Sequence, residues 1–424
     1  MATPGTARAF DRIAGHPQLC AALASLGFTQ ATPIQAVALA EVREGHHVIA
    51  TAETGAGKTM VFMLPILARL LSFPTAQALI VAPSQELCLQ LAQVAAVLAP
   101  TLAVQSFIAK ADARRAASAQ LIVSTPRHAS KWLSHSDSTA SARLQMVAFD
   151  EADMLISTFQ QDLNTIVAST QPKAVQYIFT AATVSDVHQW VVGDWMRKHF
   201  LHAKHVRTPG LHRHTAGLTV RTVQVDVRVL EQAAAASGES PDMAIGMAME
   251  HALASALRID GDPADALADA QGRAQTLVFM NSAEAAEWAA DVLSMAYPDV
   301  RIGLLHKRLP SAERAAVLAD FQAGTLPVLV ATDIAARGLD TTGVRHVVQG
   351  EPPTDYVVHI HRCGRAARAG APGVVTMIVP SSDSARVAQI LEAGEAGVDD
   401  TISRRRAAVA KARRQKRRAP VSSS

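Results

Sequence analysis

The sequence predicts an α/β protein of two parallel-sheet domains joined by a linker and followed by a basic C-terminal tail. Three observations predict it. A chain of 424 residues is longer than one hydrophobic core usually grows. Short apolar runs alternate with stretches of helical length, as strand–helix–strand crossovers do, and they form two series separated by a basic stretch without clear periodicity at residues 199–214. Only the first series carries a glycine-rich phosphate loop, so the second is expected to complete a site rather than duplicate it.

Composition narrows the class. With 49% hydrophobic and 18% charged residues, most of the chain is globular. No uncharged apolar run reaches the roughly 18 residues that span a bilayer, so no membrane partner is expected. Cys20, Cys88 and Cys363 are far apart and odd in number, which suits a reducing compartment and excludes a CxxC metal site. The first residues lack the apolar core of a secretory signal; Arg8 and Arg12 suit a short transit peptide, but Asp11 opposes it. An intracellular protein is expected, with cytoplasm, nucleus or nucleolus, and mitochondrial matrix all open. Net charge is only +3, yet residues 404–418 hold nine Lys or Arg and no acid. Such a block is a footprint for polyphosphate, or else a solvated tail or localisation signal.

Residues 10–35 end in GFTQATPIQ, where Pro33 turns the chain into a helix that should run to Arg43. Gln35 can donate and accept, so it suits an adenine edge, with Phe10 covering the ring. An apolar strand at 47–52 runs into ETGAGKT at 53–59. Thr54, Gly55, Ala56 and Gly57 would turn backbone N–H groups around phosphates, Lys58 would reach the terminal phosphates, and the Thr59 hydroxyl would bind Mg²⁺. Strand–helix pairs follow at 78–82 with 85–98 and at 121–124 with 127–134. The next strand, 144–149, runs into Asp150-Glu151-Ala152-Asp153. Acids at the carboxyl end of a buried strand are often helix caps. Behind a phosphate loop they suit a carboxylate that holds Mg²⁺, usually through water, at Asp150, and a base for the attacking water, Glu151. A strand at 175–179 ends in Thr180-Ala181-Ala182-Thr183, and Trp190 and Trp195 beyond it read as packing residues.

The second series has strands at 219–230, 276–280, 300–305, 328–332, 344–348 and 374–379, and an Ala-rich stretch with a helix at 243–257. In DYVVHIHRCGRAAR, Arg362, Arg365 and Arg368 recur every third residue, which predicts one helix face. No acid follows at i+3 or i+4 to pair with them, so they suit arginine fingers aimed at a γ-phosphate. Asp333, Arg337, Gly338 and Asp340 follow a strand end and suit a ribose contact or a link to the fingers.

Taken in order, GFTQATPIQ, AETGAGKT, PSQEL, TPRH, DEAD, AAT, VF, ATDIAARGLD and HRCGRAAR make the chain resemble the DEAD-box ATP-dependent RNA helicases from Phe10 to about Pro380. The resemblance implies two RecA-like domains, an ATP-binding domain at 1–204 and a C-terminal domain at 217–382, with a linker at 205–216 and a helix and basic tail at 383–424. It implies that ATP and Mg²⁺ are cofactors, that Phe10 and Gln35 hold adenine, that Gly55, Gly57, Lys58 and Thr59 hold phosphates, and that Asp150 holds Mg²⁺. Glu151 would be the general base, Asp340 the ribose contact, and Arg365 and Arg368 the fingers. RNA, as a single strand or short duplex, would be held by its backbone at Pro83, Ser84, Gln85, Lys110, Thr125, Arg127, Thr332 and Arg337; protein regulators or ribonucleoprotein are further partners.

The departures from the family pattern fall on the RNA side and on coupling. Gln85 replaces the arginine of PTREL, Arg127 and His128 stand in TPRH for TPGR, and Ala109-Lys110 replaces Gly-Gly. SAT is read as Ala181-Ala182-Thr183, without the serine hydroxyl; Ala366 replaces threonine, and HG is His306-Lys307. The expectation is an ATP hydrolase that unwinds weakly, with RNA affinity moved to Lys110, Arg127 and the tail. A non-catalytic ATP-dependent RNA clamp or assembly scaffold, and a DNA helicase on the same domains, are the alternatives.

Overall fold

In a computed structural model, residues 10, 15–52, 55–109, 118–135, 143–170, 175–182, 191–207, 217–226, 275–333, 335, 343–366 and 372–395 are described. The chain divides into two compact units, Met1–Leu211 and His212–Ser424.

The first unit is a seven-stranded sheet in the order β3-β4-β2-β5-β6-β1-β7, every pair parallel. Its strands are β1 (Val48–Thr51), β2 (Gln77–Val81), β3 (Val104–Phe107), β4 (Leu121–Ser124), β5 (Leu144–Phe149), β6 (Gln176–Ala181) and β7 (Lys204–Arg207). The inner strands are buried almost throughout, as parallel strands covered on both faces must be. Successive side chains go to opposite faces. Val48, Ala50, Ala78 and Ile80 join one apolar cluster, while Ile49, Leu79 and Val81 join the other.

The first cluster is closed by α1 (Pro17–Ser25), α2 (Pro33–Arg43), α3 (Lys58–Ser72) and α4 (Gln85–Leu98), through Leu19, Leu39, Phe62 and Leu91 among others. The second is closed by α5 (Pro126–His135), α6 (Ala152–Thr170) and α7 (Val191–Phe200), through Trp132, Leu155, Leu163 and Phe200. Trp195 is a packing residue as expected: it is buried, and its Nε1 donates to Asn164 Oδ1 at 2.7 Å.

The second unit repeats the plan with six parallel strands, β8 (Leu218–Val225), β9 (Gln275–Phe279), β10 (Ile302–Leu305), β11 (Val328–Ala331), β12 (Val344–Gln349) and β13 (Gly373–Pro380), in the order β10-β11-β9-β12-β13-β8. Leu277 and Phe279 face one cluster and Val278 and Met280 the other. Helices α8 (Ala283–Ala296), α9 (Ser311–Gln322), α10 (Tyr356–Cys363) and α11 (Ser384–Glu395) cover it.

The expected domain edges shift. His205, Val206 and Arg207, expected to open the linker, form the end of β7 and pair with β1. Helix α11, placed with the tail, packs its Val387 on Met377 and Val379 of β13, so it is part of the second fold. The helix expected at 243–257, Trp190, most of the linker and the tail at 404–424 lie outside the described residues. Among the described residues no helix is long and apolar enough to cross a membrane.

Candidate nucleotide and nucleic-acid site

In the first unit the phosphate loop, residues 83–85, Thr125 with Arg127, and the acidic box sit just past the carboxyl ends of β1, β2, β4 and β5, where α/β sheets bind ligands; Gln35 comes from α2 and Phe10 precedes α1. Strand order sorts them. The phosphate loop leaves β1 and the acidic box leaves β5, with β6 between them; the segments expected to face RNA leave β2 and β4 on the other side of β5.

Gly55 and Gly57 bend the phosphate loop in the left-handed region, at φ 84° and 82°, where a Cβ would be strained. Gly57 also caps α3, so the loop's N–H groups meet the positive end of that helix. A Cβ on Gly57 would come within 2.3 Å of Gln35 Nε2. That contact shows what α2 does. The Thr32 hydroxyl donates to Ala56 O at 2.8 Å and Gln35 Nε2 to Gly57 O at 2.9 Å, while Gln35 Oε1 accepts from Thr32 N at 2.9 Å. Gln35, expected to read adenine, therefore also pins the phosphate loop; its amide keeps one donor and one acceptor position for a ligand. Phe10, expected to cover adenine, is only 4% exposed and belongs to the first apolar cluster, so this ring is packed rather than presented. Lys58 Nζ donates to Ala52 O at 2.6 Å. Thr59 is half-buried in the first turn of α3, and Thr54 lies outside the described residues.

The acidic box is buried: Asp150 is 6% exposed and Glu151 6%. Glu151 is the only non-glycine at positive φ among the described residues, at 52°. A left-handed L-residue costs about 1–2 kcal/mol, a strain typical of functional turns. Asp150 is anchored through its N–H to Val81 O at 2.9 Å, which ties the end of β5 to β2. Its carboxyl is raised from the ordinary aspartate value to about 7, by burial first and the Glu151 charge second; the Thr180 hydroxyl, the Lys58 ammonium and the Glu151 N–H oppose the rise. The donor set suits a hard divalent cation: Thr59 and Asp150 carry oxygen donors, and a cation would offset the repulsion between the adjoining buried acids Asp150 and Glu151.

Position 181 is an alanine as read, but a hydroxyl stands one residue upstream. Register pairs Phe149 with Phe179, so Thr180 stands beside Asp150 and donates to its Oδ1 at 2.7 Å. Thr183 lies outside the described residues.

On the RNA side, Pro83, Ser84 and Gln85 form the turn into α4, where the Ser84 hydroxyl caps Leu87 N at 3.2 Å. Gln85 Nε2 donates to Ile108 O at 3.2 Å, holding the end of β3 rather than pointing away from the protein. Thr125 Oγ1 lies 2.8 Å from His128 Nδ1, and the Phe107 and His128 rings meet edge-on. Arg127 is exposed. Lys110 lies outside the described residues.

In the second unit the arginine stripe is not one helix face. Helix α10 stops at Cys363 with Gly364 as its cap, so Arg362 lies in its last turn and Arg365 beyond it. Arg362 is fully buried and has partners far away in sequence. Its Nε donates to Asp333 Oδ1 at 2.8 Å, one terminal nitrogen to Asn281 Oδ1 at 2.7 Å and the other to Glu351 O at 3.1 Å. Those partners follow β9, β11 and β12, so one guanidinium ties three strand ends together. Arg365 is 1% exposed, and its Nε donates to His361 O at 3.4 Å. Thr332 is half-buried and its N–H donates to Leu305 O. Arg337, Gly338, Asp340 and Arg368 lie outside the described residues.

Comparison with known proteins agrees with this geometry. The DEAD/DEAH box helicase family model matches residues 32–190, and the helicase conserved C-terminal domain model matches 263–370. The mouse protein named Probable ATP-dependent RNA helicase DDX49 is 29% identical over 372 residues, 84% of this chain and 70% of its own length. The ATP-dependent rRNA helicase rrp3 of Emericella nidulans is 28% identical over 389 residues, 90% of this chain and 76% of its own. Against DRS1 of Eremothecium gossypii the chain spans only 47% of the relative. Among solved structures, Mss116p bound to ssRNA and AMP-PNP has a TM-score of 0.75 at 20% identity, covering 93% of this chain and 79% of its own. Dbp5 of S. cerevisiae bound to RNA and ADP BeF3 has 0.73 at 22%, covering 92% and 93%. With both helicase models matched in order on two parallel-sheet units, the chain belongs to the DEAD-box helicases of superfamily 2.

Proposed function

We propose that this chain is an ATP-dependent RNA helicase or ribonucleoprotein remodeller that holds RNA by its backbone. The observation that carries the reading is the glycine loop held by Thr32 and Gln35 ahead of α3, in the same sheet whose β5 ends in the buried Asp150 and Glu151. Lys58 and the loop N–H groups of Thr54, Gly55, Ala56 and Gly57 bind the phosphates, and Gln35 with Phe10 takes adenine. Mg²⁺, when bound, offsets phosphate charge, and Thr59 and Asp150 would hold it. Glu151 takes the proton of the attacking water. Arg365 and Arg368 offset charge on the transferring phosphoryl group, and Asp340 meets the ribose.

RNA rests on the segments after β2 and β4, at Pro83, Ser84, Thr125 and Arg127, and on Lys110, Thr332 and Arg337. Gln85 and His128 are occupied within the protein, which supports a shift of RNA affinity to Arg127, Lys110 and the tail. The hydroxyl that Thr180 places on Asp150 weighs against the clamp alternative. Deleting residues 404–424 should lower RNA affinity by about tenfold or more at physiological salt and flatten its salt dependence, since up to nine cations are lost. Duplex unwinding should fall with it. Full unwinding by the truncated chain at that salt would reject the assignment of the tail.

A further inference from the structure

We propose that the outer edge of β8 pairs with the β8 of a second copy of this chain, antiparallel and centred on Thr222. An exposed strand edge is a row of N–H and C=O groups that only another extended backbone matches along its length. Folded proteins keep such edges short, charged or bulged. Three of the four sheet edges follow that rule: β3, β7 and β10 have four residues each, and β7 carries Lys204, His205 and Arg207. The fourth, β8, does not. It has eight residues, Leu-Thr-Val-Arg-Thr-Val-Gln-Val, with one charge and neither proline nor lysine. All of them pair with β13 in unbroken register, so no bulge bends the edge. Thr219, Arg221, Thr222 and Gln224 are exposed, and among the described residues no strand lies on that side.

Hydrogen bonding fixes which residues face outward. The Gly373 N–H donates to Gly217 O at 3.1 Å, and backbone groups alternate sides along a strand. Thr219, Arg221, Val223 and Val225 therefore turn theirs to β13, while Leu218, Val220, Thr222 and Gln224 turn theirs away. Two copies related by a two-fold axis meet through the same residues. An axis at Arg221 would set two guanidinium groups against each other, which is unfavourable. An axis at Val223 would leave the first residues of the strand without a counterpart in β8. With the axis at Thr222, Thr222 faces itself, Val220 faces Gln224 and Arg221 faces Val223. Nearly the whole strand is used, no like charges are opposed, and each outward pair exchanges both backbone bonds. An edge satisfied by water alone would explain the same structure, but it predicts a monomer.

The interface is one strand wide, so the dimer should be weak and depend on concentration. Sedimentation of the full chain from micromolar to sub-millimolar concentration reads the association, with thermal melting as a check on folding. The unmutated chain should pass from monomer to dimer. Thr222→Pro removes an outward N–H without touching the ladder to β13, and it should weaken dimerisation by about tenfold or more. If Thr222→Pro does not fold, Thr222→Lys is decisive, because it sets two ammonium groups against each other at the axis. Thr222→Cys should give a disulfide-linked dimer on mild oxidation, since Cα atoms of such a pair lie about 5.5 Å apart. Thr219→Cys should crosslink no more than the unmutated chain. A chain that stays monomeric throughout the range overturns the proposal and leaves the edge to water or to a different partner. A dimer of unmutated strength in folded Thr222→Pro or Thr222→Lys overturns it too, as does equal crosslinking of the two cysteine variants.

Discussion

Replacing Glu151 with glutamine should slow steady-state ATP turnover by about 10²- to 10⁴-fold while nucleotide and RNA binding survive. Glutamine matches glutamate in size, so the buried turn at φ 52° is retained, together with the Glu151 N–H bond to Asp150. What is lost is a group able to take a proton from water. Because the loop, Lys58 and the proposed fingers are unaffected, ATP and RNA should be trapped together rather than released. Turnover by phosphate release and co-retention of labelled ATP and RNA on a sizing column measure the two halves. Turnover at the unmutated rate would remove Glu151 from the role of base.

Arg362→Ala should destabilise the second domain by about 3–5 kcal/mol. The side chain is fully buried and makes hydrogen bonds with Asp333, Asn281 and Glu351 O, so its removal strands a carbonyl and an amide oxygen and leaves a cavity. Asp333 is partly solvated, at 39% side-chain exposure, which limits its share. For a domain of this size the loss corresponds to a fall of roughly 10 °C in melting temperature. Calorimetry should show this fall in the transition of the second domain and leave that of the first in place. A shift within about 1 °C would mean that the guanidinium does not hold the strand ends together.

Much of the architecture was legible because buried parallel strands are continuous apolar runs. Leu121–Ser124, Leu144–Phe149 and the helix Gln85–Leu98 are found where composition and capping placed them. The strands that escaped notice are β3, Val-Gln-Ser-Phe, and β7, Lys-His-Val-Arg. Both lie at the edges of the sheet, where one flank faces no strand and polar side chains are tolerated. The site was legible wherever chemistry is local, as in the glycines at 55 and 57 and the acids at 150 and 151. It was illegible wherever the partner is tertiary. Arg362 looked unpaired because its acid, Asp333, stands 29 positions upstream. The stripe it was assigned to ends at Gly364, a cap that three-residue spacing hides. The sequence shows an alanine at 181 where the resembled pattern has a serine, and only the pairing of β5 with β6 shows that Thr180 places a hydroxyl on Asp150. Phe10 and Gln35 were legible as candidates for a ligand, but the packing of one in the core and the hold of the other on the loop are tertiary and do not show in the sequence.

The most direct measurement of the central claim is single-turnover hydrolysis of MgATP by the full chain, with and without single-stranded RNA, and with DNA of the same sequence. Hydrolysis accelerated by about tenfold or more by RNA, and far less by DNA, is the predicted result, since the 2′-hydroxyl is what distinguishes the two strands. Bound ATP that persists unhydrolysed in the presence of RNA would contradict it.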